Sequence, residues 1–184
     1  MKIGHINLAT SINGIGEHFV RLIEALTRQG IEQHVVVANA SLARRLLVYD
    51  DVTVGPVART AVMAYCLMPD VNLAHVHEPR GAKAGLLLAL TRSIPYVLSR
   101  RETESIGRNP ITRSTISRAS GIICPNAEAA GAVLGDDFTT PVDVVADIAH
   151  ASLEADESDN RIASEHVRIY RRAADKRRVP ALLL

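Results

Sequence analysis

The 184-residue sequence has no tryptophan, two phenylalanines and four tyrosines, so aromatics make up only 3% of it. Stacking platforms for nucleobases are scarce, and a net charge of +1 gives no basic footprint for a phosphate backbone. No nucleic acid is expected as a partner. Cysteine is equally sparse: Cys66 and Cys124 stand far apart, so no disulfide framework follows and a cytoplasmic, thiol-bearing protein is expected. No apolar run reaches the ~18 residues needed to cross a bilayer. The first residues also lack a basic segment followed by an adequate apolar stretch, so a soluble protein without a leader is expected.

What is present is alternation. Short apolar runs begin at Lys2, His34 ("HVVVANA"), Asn72 ("NLAHVH"), Pro95 ("PYVLS"), Gly121 ("GIICPN") and Val142 ("VDVVAD"), and read as core strands. Between them lie helical patterns, "SLARRLLV", "RTAVMAYCLM", "RGAKAGLLLALTR", "PITRSTISR" and "AEAAGAVLG". Pro110 suits a first helical position and Asn126 an N-cap. Strand–helix alternation of this kind predicts an α/β fold, a doubly wound, Rossmann-like parallel sheet.

The first crossover, "NLATSINGIGEHFVRLIEAL", puts Gly14 and Gly16 between a strand and a helix whose apolar stripe is Phe19, Leu22, Ile23 and Leu26, closed by Gly30. Such a turn presents free backbone N–H groups and the positive end of a helix dipole to an anion. The fit to a dinucleotide fingerprint is partial. Phe19 takes the place of the third small residue, and Asn39 stands where an acid would hold a ribose. A glycine turn that serves only helix–strand packing explains the two residues equally well.

"AHVHEPRGAKAGLL" carries His75 and His77 two apart on one strand face, followed by Glu78 and Arg80 at a helix start. Two imidazoles fall short of a four-ligand zinc site and no third ligand is near in sequence, so no metal is expected. His77, nearer the strand's carboxyl end, is expected to point into the ligand crevice while His75 packs. There it could bond a sugar hydroxyl or act as acid or base. "SRRETE" repeats the geometry one strand later, with Arg100, Arg101, Glu102 and Glu104 able to meet a hydroxyl-rich or anionic ligand or to form a surface network.

Residues 1–150 make the expected domain, 151–160 an acidic linker, and 161–184 an amphipathic helix with Ile162, His166, Ile169, Tyr170 and Ala173 on one face. Arg168, Arg171, Arg172, Lys176 and Arg177 fall mostly around the other face, which reads as solvated.

Taken in order, "NGIGEHFVRLIEALTRQGIEQHVVV", "VNLAHVHEPRGAKAGLLLAL" and "IPYVLSRRETESIGRNPITRSTISRASGIICPNAEAAGAVL" resemble the N-terminal half of a retaining, family-4 type glycosyltransferase of the two-domain GT-B class. The resemblance implies that Gly14 and Gly16 approach the donor phosphate or the acceptor, and that His77 contacts the transferred sugar as the catalytic histidine. It further implies that Glu78, Arg80, Arg101, Glu102 and Asn126 belong to the substrate-binding set. "IASEHVRIYRRAADK" resembles the last GT-B helix, which crosses back onto the first domain.

The sequence departs from the pattern at "VVADIAHAS", where the family's glycine turn is missing. It also carries no second, nucleotide-binding domain. The chain therefore reads as an acceptor-side half that needs a separate donor-domain subunit and is inactive alone. A nucleotide-sugar and a glycan or lipid acceptor are the implied ligands, polysaccharide biosynthesis is the implied setting, and no cofactor is implied. "LARRLLV" raises peripheral contact with the inner face of the plasma membrane, and a homo-oligomer stays open. The alternative is a noncatalytic glycan- or partner-binding module that kept the fold.

Overall fold

The computed structural model describes residues 1–10, 14–148 and 155–175. Seven strands run β1 (Lys2–Asn7), β2 (Glu32–Val37), β3 (Val52–Val54), β4 (Leu73–Val76), β5 (Tyr96–Ser99), β6 (Gly121–Cys124) and β7 (Val142–Val144). Interleaved with them are α1 (Gly14–Arg28), α2 (Ala40–Leu46), α3 (Ala61–Leu67), α4 (Ala82–Arg92), α5 (Pro110–Ser117), α6 (Ala127–Leu134) and α7 (Ala155–Asp175), with a 3-10 turn at Pro79–Gly81 before α4. All pairings are parallel, in the order β3-β2-β1-β4-β5-β6-β7. The fold is the doubly wound, Rossmann-like α/β sheet that the alternation predicts. Among the described residues no helix is long and apolar enough to cross a membrane.

Local signals set most boundaries. Asn39, Asn109 and Asn126 cap α2, α5 and α6 by accepting backbone N–H bonds, and Pro110 opens α5. Gly30 ends the turn after α1 at φ +67°, in the left-handed region that favours glycine.

Period-two alternation divides the strand residues between two layers. Ile6, Val36, Val76, Tyr96, Leu98 and Ile122 face the layer of α3 to α6. Ile3, Leu73, Val97 and Ile123 face α1 and α7, while Val35, Val37 and Val52 meet α1 and α2. β3 is missing from the sequence reading because three residues at a sheet edge are too few for a periodicity to show.

α7 lies against α1 and the ends of β4 and β5, with Ile162, His166, Ile169, Tyr170 and Ala173 all buried as the stripe predicts. It begins earlier than the expected linker boundary. Asp156 and Glu157 occupy its first turn, where carboxylates complement the helix dipole. Asp159 is buried and accepts from Arg21 at 2.7 Å, so a residue read as solvent-facing linker is a docking contact. Residues 151–154, Lys176, Arg177 and the terminal "VPALLL" lie outside the described residues.

Candidate functional site

The chain leaves β1 for α1 on one face of the sheet and leaves β4 for α4 on the other, so the crevice of this sheet opens at the carboxyl ends of these two neighbouring strands. The two ends are tied together. The His77 N–H donates to the Ile6 carbonyl at 2.9 Å, and the Leu8 N–H donates to Glu78 Oε1 at 3.0 Å. Glu78 also accepts from the Gly81 N–H at 2.9 Å and the Arg80 N–H at 2.7 Å. Its carboxylate is thus committed to backbone donors, which shape the turn into α4.

α1 starts at the crevice with Gly14, which is exposed, and Gly16, which is buried. A Cβ on Gly14 would meet nothing within 4 Å, so packing within the chain does not demand glycine there. Phe19 on the same helix is fully buried and meets the His77 ring edge-on at 4.6 Å. The apolar stripe explains why the dinucleotide pattern fails here: Phe19 is a core residue. Asn39 likewise serves as a cap, its Oδ1 accepting from the Ser41 and Leu42 N–H groups.

The alternation that sends Val76 into the α3–α6 layer sends His75 and His77 toward α1 and α7, where His5 joins them from the neighbouring position on β1. His75 is held on both sides, its Nδ1 bonded to Tyr170 Oη at 2.6 Å and its Nε2 to Ser99 Oγ at 2.8 Å. His5 Nδ1 and His77 Nε2 share a bond of 3.0 Å, and the rings of His75 and His77 lie 3.8 Å apart. His77 is 1% exposed, so it does not point openly into the crevice; Phe19 and His75 enclose it.

Burial favours the neutral form of every imidazole in the group. It lowers His5 to about 3 and His166 to about 4, and lowers His75 and His77 well below their usual range. His18 also falls to about 3 through burial, against the pull of Asp147. Its tautomer is fixed: the Ile148 N–H donates to Nδ1 at 2.8 Å, leaving Nε2–H toward Asp147 Oδ1 at 3.4 Å.

Arg101 links the two sides of the crevice. Its guanidinium forks onto Asp147 at 3.0 and 2.8 Å, and Nη1 donates to the His77 carbonyl at 3.1 Å. Burial raises the Asp147 carboxyl, but the bond from Arg101 and the nearby His18 outweigh it and hold the carboxyl below its ordinary value. Asp147 and His18 are absent from the sequence-based set, and no local motif marks them because they meet only across 129 positions of chain. Glu102 pairs with Arg100 at 3.7 Å beside the end of β5. Arg80 is exposed at the start of α4, and Asn126 is exposed with its Oδ1 capping α6.

The third imidazole that the "AHVHE" segment lacks is therefore His5, from another strand. Donor nitrogens of His5, His75 and His77 lie within 4.8 Å of one another. In the present arrangement they are engaged in hydrogen bonds to Tyr170, Ser99 and each other. Among the described residues, buried polar atoms without a hydrogen-bond partner fall in two groups: His5 Nε2, Gln33 Oε1 and His34 Nε2 within β1 and β2, and Asn7 Nδ2, His77 Nδ1, Arg100 Nε and Glu102 Oε2 at the carboxyl ends of the strands. Buried orphans are rare enough in folded proteins that a group of them requires an explanation, and a ligand is one.

No known family profile matches the chain, and no curated protein sequence does. Its fold is similar to solved structures of HepE from Anabaena. The complex with UDP-glucose superposes with a TM-score of 0.64 at 14% identity, and the complexes with UDP and with UDP and glucose superpose at 0.58 with 14% and 13% identity. Each match covers 80% of this chain and 44% of HepE, so this chain spans less than half the length of that protein.

Proposed function

We propose that this chain is the acceptor-side half of a retaining, GT-B glycosyltransferase that works with a donor-binding domain and contacts a nucleotide-sugar at the carboxyl edge of β1 and β4. The observation that carries the reading is the set of unpartnered polar atoms at that edge, beside a glycine at the start of α1 that packing does not require. The order of the motifs and the likeness to HepE bound to UDP and UDP-glucose support it.

In this reading each group has a distinct task. The backbone N–H groups at Gly14 and Gly16 meet the diphosphate, as a helix N-terminus is suited to do. His77 is a neutral imidazole whose Nδ1 bonds a hydroxyl of the transferred sugar. Arg101 holds the crevice wall through Asp147 and the His77 carbonyl, and Arg80, Glu102 and Asn126 face the acceptor. Glu78 acts through the turn that it shapes. The groups that stabilise the departing diphosphate, a large share of catalysis in such transfers, belong to the donor domain. Leu47 and Val48, the exposed end of "LARRLLV", are the surface available for a membrane-bound acceptor, and flotation with anionic vesicles tests that contact.

The enclosure of His77 behind Phe19 favours one other reading, a noncatalytic glycan- or partner-binding module. Calorimetry with UDP-glucose, paired with a transfer assay, separates the two. The proposal predicts weak binding and no transfer by the chain alone, and transfer once a donor-domain protein is captured. Turnover by the chain alone contradicts the division of labour, whereas a specific glycan bound tightly with no partner and no transfer supports the module.

A further inference from the structure

β1 and β2 place a buried amide beside the imidazole group. Gln33 pairs with Ile3 across the two strands, so its side chain shares a face with His5, the next residue on that side of β1. Both Gln33 and His5 are fully buried. Gln33 Nε2 donates to the Ile23 carbonyl at 3.0 Å and to Thr27 Oγ1 at 2.9 Å. A carbonyl only accepts, and the Thr27 hydroxyl uses its own hydrogen on the same Ile23 carbonyl at 3.0 Å. Both amide hydrogens of Gln33 are therefore committed to α1, which fixes the orientation of the amide and leaves Oε1 over as an acceptor.

Gln33 Oε1 and His5 Nε2 are each buried without a partner in ordinary hydrogen-bond geometry, and each supplies what the other lacks when the His5 hydrogen sits on Nε2. The hydrogen-bonding pull of the Gln33 side chain acts in that sense, raising the His5 pKa against the larger effect of burial. A neutral ring protonated at Nε2 has a bare Nδ1. His5 Nδ1 then accepts the 3.0 Å bond from His77, whose hydrogen is on Nε2, and His77 Nδ1 is left as a bare lone pair. The reverse assignment is worse at both ends. Two lone pairs, on Gln33 Oε1 and His5 Nε2, would face each other, and His77 Nδ1–H would be a buried donor with no acceptor.

We infer that Gln33 and His5 are positioning residues that hold His77 in its Nε2–H tautomer, so that the one unbonded ring atom His77 offers to a ligand is an acceptor. The inference rests on the reading in which His77 Nδ1 meets the transferred sugar, and it gives that contact a direction: the sugar hydroxyl donates. An acceptor-only group, such as a carbonyl or an ionised phosphate oxygen, would set lone pair against lone pair at this position.

The test is long-range proton–nitrogen NMR of the full chain with isotope-labelled histidine, which separates a protonated ring nitrogen from a bare one. His5 and His77 are both expected to show a bare Nδ1 and a protonated Nε2 at neutral pH. Saturating UDP-glucose is expected to move the His77 Nδ1 signal toward the protonated range as that atom accepts a bond. Gln33→Met keeps the side-chain length and removes Oε1. In that variant the two His77 nitrogens are expected to move toward a common average, while those of His75, held by Tyr170 and Ser99, stay in place. With about half of the chain then presenting N–H at Nδ1, UDP-glucose is expected to bind about twofold more weakly.

A protonated His77 Nδ1 in the unaltered chain overturns the inference whether or not the variant folds, and so do His77 signals unchanged by Gln33→Met. Binding of UDP-glucose that leaves Nδ1 unmoved overturns the donated hydroxyl. UDP-glucose binding to a chain with a protonated Nδ1 sinks the tautomer assignment and keeps the nucleotide-sugar reading. The expected tautomers without any UDP-glucose binding keep the Gln33–His5 arrangement and remove that reading.

Discussion

The two faces of the sheet are filled on different principles. The layer of α3 to α6 is alanine-rich and close-packed, with Gly81 and Gly85 lying so near the strands that an added Cβ would come within 2.9 Å of Val76 and 2.7 Å of Tyr96. The α1 and α7 layer buries five imidazoles, Tyr170 and Asp159, the last paired with the partly buried Arg21, in addition to its aliphatic residues. The α3 to α6 face is mainly aliphatic, with His34 and the Arg100–Glu102 pair among its polar members. The α1 and α7 face gathers five buried imidazoles, and the unbonded atoms of His5, Asn7 and His77 belong to it. The sheet therefore concentrates its imidazoles on one face by alternate strand positions, and the contrast can be broken one face at a time.

The largest effect is expected from acid. The folded-state pKa values of His5, His18, His75, His77 and His166 all lie below the usual 6.5, so the unfolded chain binds protons first. Their stabilising contribution is complete above pH 6.5 and falls as pH drops toward 4, by roughly 1.4 kcal/mol per pH unit for each histidine that titrates on unfolding. The depressed Asp147 carboxyl adds to the loss at still lower pH. Urea unfolding at stepped pH measures this, and a flat profile between pH 6.5 and 4.5 would remove the neutral-imidazole account.

Next comes Tyr170→Ala, which empties a fully buried site and strips His75 Nδ1 of its partner. A loss of about 3–5 kcal/mol is expected. Tyr170→Phe, which removes only the hydroxyl, should cost about 1–2 kcal/mol. Denaturant midpoints of the pair isolate the polar share of the α7 contact.

On the opposite face, Gly85→Ala forces a Cβ against Tyr96 and Val76 and is expected to cost about 1–3 kcal/mol. Its pH profile should run parallel to that of the unaltered chain, because none of the five buried imidazoles belongs to that face's core. A changed slope would show that the two layers are coupled.

The smallest effect on stability belongs to Gly14→Ala, which adds a methyl in open space and is expected to change stability by less than about 1 kcal/mol. The same substitution should weaken UDP-glucose binding, since it narrows the approach to the helix N-terminus. Loss of stability without loss of binding would assign the glycine to the fold.

The α/β architecture was legible because its signals are local. Apolar runs, capping Asn126, Pro110 and the helix-closing Gly30 each act within a few residues, and all appear in the expected places. The α7 stripe was equally legible from Ile162 to Ala173, whereas its acidic start was not, since Asp159 meets its partner Arg21 across 138 residues of chain.

The site was partly legible for the same reason. His75 and His77 could be placed on one strand face by spacing alone. Their third companion His5, the Arg101–Asp147 fork and the covering Phe19 depend on strand order, which no local pattern encodes. Glu78 resembled a ligand residue in sequence, but its carboxylate binds three backbone donors, a role visible only when Leu8 from β1's end arrives beside it.

The most direct test of the central claim is an amide-resolved NMR titration of the chain with UDP-glucose. The account predicts shifts centred on Gly14, Gly16, His77 and Arg101, at the carboxyl ends of β1, β4 and β5. Shifts confined to the opposite edge of the sheet, or none at saturating concentration, would contradict it.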